Sequence, residues 1–211
     1  MVAEGYKFAA APLAAGLLVV AGSKYLSDGP WPLWVAGAFI FLGLFVLYFF
    51  RDPERTAPGD PAAVVSPADG RIVEIRDEPL DGVAGSRISI FLSVWDVHVN
   101  RSPVAGTIRA VDYRPGRFHG ALFARASKEN EMNVIRMATP RGEMVFKQIA
   151  GWLARRVMCW KSPGDTVRAG ERIGMIRFGS RVDVWLPREA AVTVRRGDKV
   201  RGGSSVLAQW R

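Results

Sequence analysis

Two uncharged apolar runs open the chain, and alternating sequence follows them. Residues 8–22, FAAAPLAAGLLVVAG, and residues 32–50, PLWVAGAFIFLGLFVLYFF, contain no Asp, Glu, Lys or Arg. The second run has 19 residues, close to the ~20 that cross a hydrocarbon core. Trp31, Trp34 and Tyr48 stand near its ends, where amphipathic aromatics favour the membrane interface, so it reads as a transmembrane helix. The first run, at 15 residues, fits a short span, a re-entrant segment or the apolar region of a signal peptide. A second span following so soon favours a two-helix hairpin that turns at SKYLSDGP. Arg51 and Arg55 flank the second run, and short basic flanks stay in the cytoplasm. The expectation is a membrane anchor over residues 1–50 in the cell (inner) membrane, with the remainder on the cytoplasmic side.

Residues 51–62 begin RDPERTAPGDP, a Pro-rich linker that cannot continue a helix. Beyond it the pattern changes to short β-type runs punctuated by Gly and Pro: 64–65, 71–75, 87–92, 107–113, 132–138, 143–149, 155–160, 172–177, 182–186 and 191–195. No run outside the membrane segments reads as a helix. SPADGRIVEI (66–75) and SPVAGTIRAV (102–111) share Ser-Pro-x-x-Gly-x-Ile, and KSPGDTVRAGERIGMI (161–176) begins in similar fashion. Repeated turn-Gly-strand units predict a mainly β domain over 63–211, a folded-over sandwich of the barrel-sandwich-hybrid kind with quasi-symmetric halves. The third copy resembles the hairpin of biotinyl and lipoyl domains, which present a modifiable lysine at a turn tip beside methionine. Here Lys161 opens the turn and has no Met neighbour, so a carrier role lacks its chemistry.

Charge narrows the partners. Lys7 and Lys24 balance Glu4 and Asp28 within residues 1–50, so the formal +9 belongs to the β domain. Such a domain is drawn to an anionic membrane surface. Nucleic acid, the other usual partner of basic charge, is set aside because no aromatic-basic motif or basic helix appears. The single cysteine, Cys159 in RRVMCW, excludes an internal disulfide framework and reads as a buried structural thiol. His98 and His119 lie 21 residues apart, a spacing that gives no metal pattern.

The stretch IRFGSRVDVWLP, residues 176–187, sets Gly179-Ser180 between two strand-like runs. That pair is either a plain turn or a bond the protein opens itself. In SVWDVHVNRSP, Asp96 and His98 share a face if the run is extended. Asp69, in SPADG, is a turn residue before Gly or a carboxylate that approaches the Gly-Ser unit with His98. An Asp69-His98-Ser180 set also admits a serine hydrolase, disfavoured because the G-x-S-x-G elbow is absent. A membrane-anchored biotinyl-like binding or adaptor module without self-cleavage is the other alternative.

FFRDPERTAP, SPADGRIVEI, FLSVWDVHVNRSPVAG, KQIAGWLARRV and RFGSRVDVWLP together resemble the short, membrane-anchored form of phosphatidylserine decarboxylase proenzymes, with archaetidylserine decarboxylase as a near relative. The resemblance implies self-cleavage between Gly179 and Ser180, leaving a β-chain of residues 1–179 and an α-chain of residues 180–211. That α-chain starts with a pyruvoyl group made from Ser180, the electron sink for removing CO₂ from phosphatidylserine in the bilayer to give phosphatidylethanolamine. It further implies His98 and Asp69 as catalytic or processing groups, His98 serving as proton donor with His119 behind it. Arg114, Arg117 and Lys128 are candidates for the phosphate. Longer members carry D-x-H-x-x-H, whereas this chain has Asp96, His98 and then Arg101 where the second His would fall. A homo-oligomer is left open.

Overall fold

The computed structural model describes residues 1–26, 28–80, 84–123, 125–152, 156–177 and 179–211. Arg155, the expected start of one strand, and Phe178, within the Gly-Ser stretch, lie outside the described residues. The chain divides into two compact units, Met1–Pro53 and Glu54–Arg211.

The first unit pairs α1 (Ala3–Leu26) with α2 (Trp31–Phe49). The run seen as 15 apolar residues thus belongs to a helix of 24, which contains Pro12 and reaches Leu26, inside the expected turn. Helix at ~1.5 Å per residue makes both elements long enough to span. The helices touch through small residues: a Cβ on Gly16 would come within 2.7 Å of Ile40, and one on Gly43 within 2.5 Å of Leu13. Close backbone approach at glycine is how apolar helices associate in lipid. Leu17, Leu18, Trp34 and Phe41 remain exposed, as membrane association requires and a soluble core does not.

The second unit is mainly β, as the alternation predicts. Its strands are β1 (Ala63–Val65), β2 (Gly70–Asp77), β3 (Gly85–Leu92), β4 (Val99–Arg101), β5 (Gly106–Arg114), β6 (Met132–Thr139) and β7 (Gly142–Ile149). They continue with β8 (Val157–Cys159), β9 (Thr166–Val167), β10 (Arg172–Ile176), β11 (Ser180–Pro187), β12 (Ala190–Val192), β13 (Lys199–Val200) and β14 (Val206–Trp210). A four-residue helix, α3 (Ala126–Glu129), is the one addition to the all-β expectation among the described residues.

The sheets carry the internal symmetry. The large sheet runs β13-β2-β3-β11-β7-β6-β5-β9, and the small ones run β1-β14-β12 and β4-β10-β8. The large order reads as two equivalent halves, and each half adds one small sheet: β1, β2, β3 and β11–β14 form one half, β4–β10 the other. The details repeat. Ser66 Oγ donates to the Ala68 carbonyl at 2.6 Å, and Ser102 Oγ to that of Val104 at 2.6 Å. A bulge follows Ile72 in β2 and Ile108 in β5. A second echo, GDTVRAG (164–170) and GDKVRGG (197–203), sets positive-φ glycines at both ends of each copy. Asp165 and Asp198 each accept a turn N–H, at 2.8 and 2.7 Å.

Alternation along the large sheet puts Val182, Val184 and Leu186 of β11 into one core with Ile88, Ile90, Ile135 and Phe146. Arg181, Asp183 and Trp185 take the other face. There a smaller apolar cluster of Ala126, Met132, Val134, Val145 and Ile149 packs beside them.

Candidate active site

The chain passes between the halves twice, and both passages lie at one end of the large sheet. The outward passage, 93–98, leaves β3 after Leu92. The return passage follows β10, which ends at Ile176, and enters β11 at Ser180, which pairs with Leu92. Gly179-Ser180 is therefore neither a hairpin turn nor a bulge but the junction between a small sheet and the large one.

Ser180 is fully buried, and its side chain lies on the core face with Val182. Its Oγ has no hydrogen-bond partner among the described residues. Leaving a hydroxyl buried and unsatisfied costs about 1–3 kcal/mol, so its place demands a reason. The preceding carbonyl is crowded from one side. A Cβ on Gly151 would sit 2.0 Å from Gly179 O and 3.2 Å from Ala121 Cβ. Glycine at 151 lets the 150–152 backbone lie against the bond joining 179 to 180. Gly179 itself is less constrained: its φ is outside the left-handed region, and a Cβ there meets nothing within 4 Å among the described residues.

Asn130 fixes this arrangement. Its Nδ2 donates to the His119 and Ala150 carbonyls at 2.8 and 2.7 Å, and its Oδ1 accepts the His119 N–H at 2.9 Å. The 119–121 segment is thereby tied to the residue before Gly151.

His98 is fully buried on the outward passage, where its carbonyl accepts the Ile176 N–H at 3.2 Å. Its Nδ1 lies 2.9 Å from the Asp96 carbonyl. A carbonyl only accepts, so Nδ1 carries a proton and the neutral ring has its lone pair on Nε2. The expectation that Asp96 and His98 share a strand face does not hold. Residues 93–96 form a turn, in which Asp96 Oδ2 accepts from Ser93 N and Oγ at 2.9 and 2.7 Å. The Asp96 carboxylate closes that turn, and its backbone holds the imidazole.

Asp69 precedes β2, which reaches the same sheet end through the rung Arg71, Phe91, Arg181. It receives both Nη1 and Nη2 of Arg55, the latter at 2.8 Å, and the Gly202 N–H at 2.7 Å. Arg101 is buried nearby: its N–H donates to the Pro67 carbonyl at 2.8 Å and its Nη1 to that of Gly170 at 3.0 Å. Gly179, Ser180, His98 and Asp69 thus all lie at one end of the sheet, with Asp69 two strands from Ser180.

The remaining candidates divide. Arg114 ends β5, and Arg117 and His119 follow it at this same end, both arginines exposed. His119 Nε2 donates to Glu129 at 3.0 Å. Lys128 is elsewhere: it lines a cleft of about 600 Å³ with Arg76, Arg87, Lys147 and Trp185 on the outer face, the side of β11 opposite Ser180. In that cleft burial pushes the Lys147 ammonium below its ordinary range, against the attraction of Asp183.

Sequence reasoning passed over the network that holds β11. Arg181, nearly all buried, donates to Asp183 Oδ1 at 2.6 Å, Ser89 Oγ at 2.6 Å and Glu74 Oε2 at 3.1 Å. Asp183 also accepts from Ser127 Oγ at 2.7 Å, and Arg87 reaches Glu74 at 3.0 Å and Glu78 at 2.8 Å. Burial alone would raise the Glu74 carboxyl, but Arg87, Arg181 and Arg76 outweigh it and hold the group below the usual carboxylate range. The alternation of Arg181 and Asp183 with apolar residues was the available signal.

The alternatives lose ground. Lys161 is drawn into an ion pair with Glu171 at 2.7 Å, unlike a presented carrier lysine. Cys159 Sγ–H donates to the Lys161 carbonyl at 3.4 Å, and burial pushes the thiol up. Among the described residues no cluster of His, Cys, Asp and Glu could hold a metal ion.

Comparison with known proteins agrees with this architecture. Residues 42–208 match the family Phosphatidylserine decarboxylase. A phosphatidylserine decarboxylase proenzyme of Solibacter usitatus is 50% identical over 181 residues, 83% of this chain and 86% of the relative. One of Desulfotalea psychrophila is 48% identical over 177 residues, covering 81% and 83%. One of Geobacter metallireducens is 45% identical over 210 residues, 97% of this chain and 94% of its own. The chain belongs to the phosphatidylserine decarboxylase family, a family of enzymes.

Proposed function

We propose that this chain cuts its own Gly179-Ser180 bond and then decarboxylates phosphatidylserine to phosphatidylethanolamine at the chain end so formed. The observation that carries the reading is the buried Ser180 hydroxyl, unpartnered among the described residues, immediately after a carbonyl that Gly151 leaves room for. Family membership supports both decarboxylase activity and processing of a precursor.

Amide resonance opposes the cut with much of a ~18–20 kcal/mol rotation barrier. Gly179 sits outside the left-handed region, so backbone strain there does not drive the reaction. His98 Nε2, the lone-pair nitrogen, takes the proton of Ser180 Oγ as that oxygen attacks the Gly179 carbonyl. A general base in that role contributes roughly 10²- to 10⁴-fold. The amide C–N bond breaks as the Ser180 nitrogen takes up a proton, leaving an ester. The ester eliminates the carboxylate of residues 1–179 to give dehydroalanine, and water converts its imine form to the ketone with release of ammonia. A single turnover per molecule tolerates a slow step. Asp69, neutralised by Arg55, holds the 67–70 and 202 backbones beside the passage.

A buried, unpaired residue 180 fits a pyruvoyl group, which supplies the electron sink for loss of CO₂. Around it Arg114 and Arg117 bind the lipid phosphate, His119 orients the headgroup, and His98 returns a proton to the carbon that lost its carboxylate. The spans α1 and α2 keep the domain at the cytoplasmic side of the membrane that holds the substrate.

The test is a denaturing gel and mass spectrum of the purified full chain, together with release of CO₂ from carboxyl-labelled phosphatidylserine. Fragments 1–179 and 180–211, the second lacking a free amine, are expected. An active protein with an unbroken chain, or an active Ser180→Ala variant, refutes the reading.

A further inference from the structure

We propose that the loops around Ser180 form a second membrane contact, a rim of apolar and aromatic side chains that seats the β domain on an anionic bilayer independently of α1 and α2. The inference rests on the reading of a lipid substrate and adds where the lipid surface lies.

The internal symmetry provides the comparison. The two ends of the large sheet have equivalent strands, so a difference between their loops reflects something other than the fold. At the Ser180 end meet the close of β3, the close of β5, the start of β6, the close of β7 and the start of β11. Trp95, Leu122, Phe123 and Trp152 stand there with exposures of 59%, 60%, 58% and 73%, and Tyr113 and Phe118 are exposed beside them. The opposite end, among the described residues, shows Arg141, Arg188 and Glu189 to solvent. Of the large apolar side chains exposed on the described β domain, Trp160 alone, at 39%, lies away from the Ser180 end, beside the start of β10. A monomeric soluble surface rarely concentrates apolar groups in this way.

These side chains adjoin the site. Trp152 follows Gly151, which abuts the Gly179 carbonyl, and Leu122 follows Ala121, which packs against Gly151. Trp95 sits three residues beyond Leu92, the partner of Ser180.

The occupant follows from what accompanies them. Arg114, Arg117 and Arg156 are exposed in the same loops, and Arg125, which also borders the outer-face cleft, sets its guanidinium 5.3 Å from the centre of the Phe123 ring. Tryptophan and phenylalanine interleaved with arginine suit the boundary between acyl chains and anionic headgroups. The same chain carries two helices long and apolar enough to cross a bilayer, so that surface is within its reach. A serine headgroup could then pass to residue 180 from the lipid plane.

Full-length protein is reconstituted in phosphatidylglycerol–phosphatidylcholine vesicles. Trp152→Cys or Arg188→Cys, in a Cys159→Ser background, carries an environment-sensitive fluorophore, and lipids bearing a shallow nitroxide act as quenchers. Quenching at 152 and not at 188 is expected; none at 152, or equal quenching at both, overturns the proposal. In parallel, Leu122→Ser with Trp152→Ser should slow turnover of long-chain phosphatidylserine in vesicles by about tenfold or more, as expected when interfacial apolar area is lost. Its turnover of monomeric dihexanoyl phosphatidylserine should not change, and an equal loss on both substrates overturns the proposal. If the unaltered protein converts neither lipid while position 152 is still quenched, the decarboxylase reading fails and the docking surface stands.

Discussion

Replacing Gly151 by alanine adds one methyl group against the bond proposed to break. That carbon would lie 2.0 Å from Gly179 O, whereas ordinary contact begins at 3.4 Å, so one of the two backbones must retreat by up to 1.4 Å. If the 150–152 backbone yields, the Asn130 bond to Ala150 is stretched, and overpacking of this kind costs about 1–3 kcal/mol. If Gly179 yields, its carbonyl leaves the proposed path of Ser180 Oγ, and a misplacement of ~1 Å costs about 10²-fold in rate. The expected result is a folded protein that accumulates uncut. The assay follows purified protein on a denaturing gel over time, with thermal unfolding recorded in parallel. Gly179→Ala is the contrast: its added Cβ meets nothing within 4 Å among the described residues and its φ needs no glycine, so cutting should persist. A Gly151→Ala protein that cuts as fast as the unaltered chain, or a Gly179→Ala protein that is the more impaired, refutes the assignment of the crowded position to 151.

Three further outcomes are expected. Arg181→Met leaves Asp183 buried with weaker compensation and should cost about 3–5 kcal/mol, read as a lowered denaturant midpoint; an unchanged midpoint would show that Arg87 and Ser127 suffice. Glu74 titrates below its ordinary value of 4.5 in the folded protein. Its stabilisation is therefore full above the unfolded carboxylate range and is lost as pH falls through the folded value. Melting temperature should drop as pH falls below about 4.5, less steeply in Glu74→Gln, and an identical slope in both proteins would exclude Glu74 as a contributor. Cys159, its thiol raised by burial, should react with a disulfide reagent at pH 8 more slowly than a small free thiol does and should speed up on unfolding; equal rates would contradict the burial.

Much of the β domain was legible because its strands alternate and its turns carry Gly and Pro. Each of the ten expected runs overlaps a strand among the described residues, although β12 ends at Val192, short of the expected 195. The four that escaped, β4, β9, β13 and β14, are two to five residues long, too short for alternation to stand out. The partnership of the halves was half visible: Ser66 and Ser102 announced it, while the second echo, GDTVRAG and GDKVRGG, lay unread in the same sequence. At the candidate site, Ser180 and His98, which lie at one end of the large sheet, stood out by residue type and neighbourhood. Gly151 did not, because a glycine required by another segment's carbonyl looks like any loop glycine. Arg55 was read as a membrane flank, yet it binds Asp69, a contact across 14 positions that no local pattern encodes. The strand face expected to be shared by Asp96 and His98 is replaced by the turn at 93–96, which brings the Asp96 backbone oxygen to the imidazole.

β11 occupies the middle of the large sheet, bonded to β3 along its whole length and to β7 over five residues. A scission at its first residue removes no rung from the ladder. The severed protein should behave as one particle on a sizing column and as two on a denaturing gel, its newly made terminus pinned among neighbours that never noticed the loss of a covalent tie.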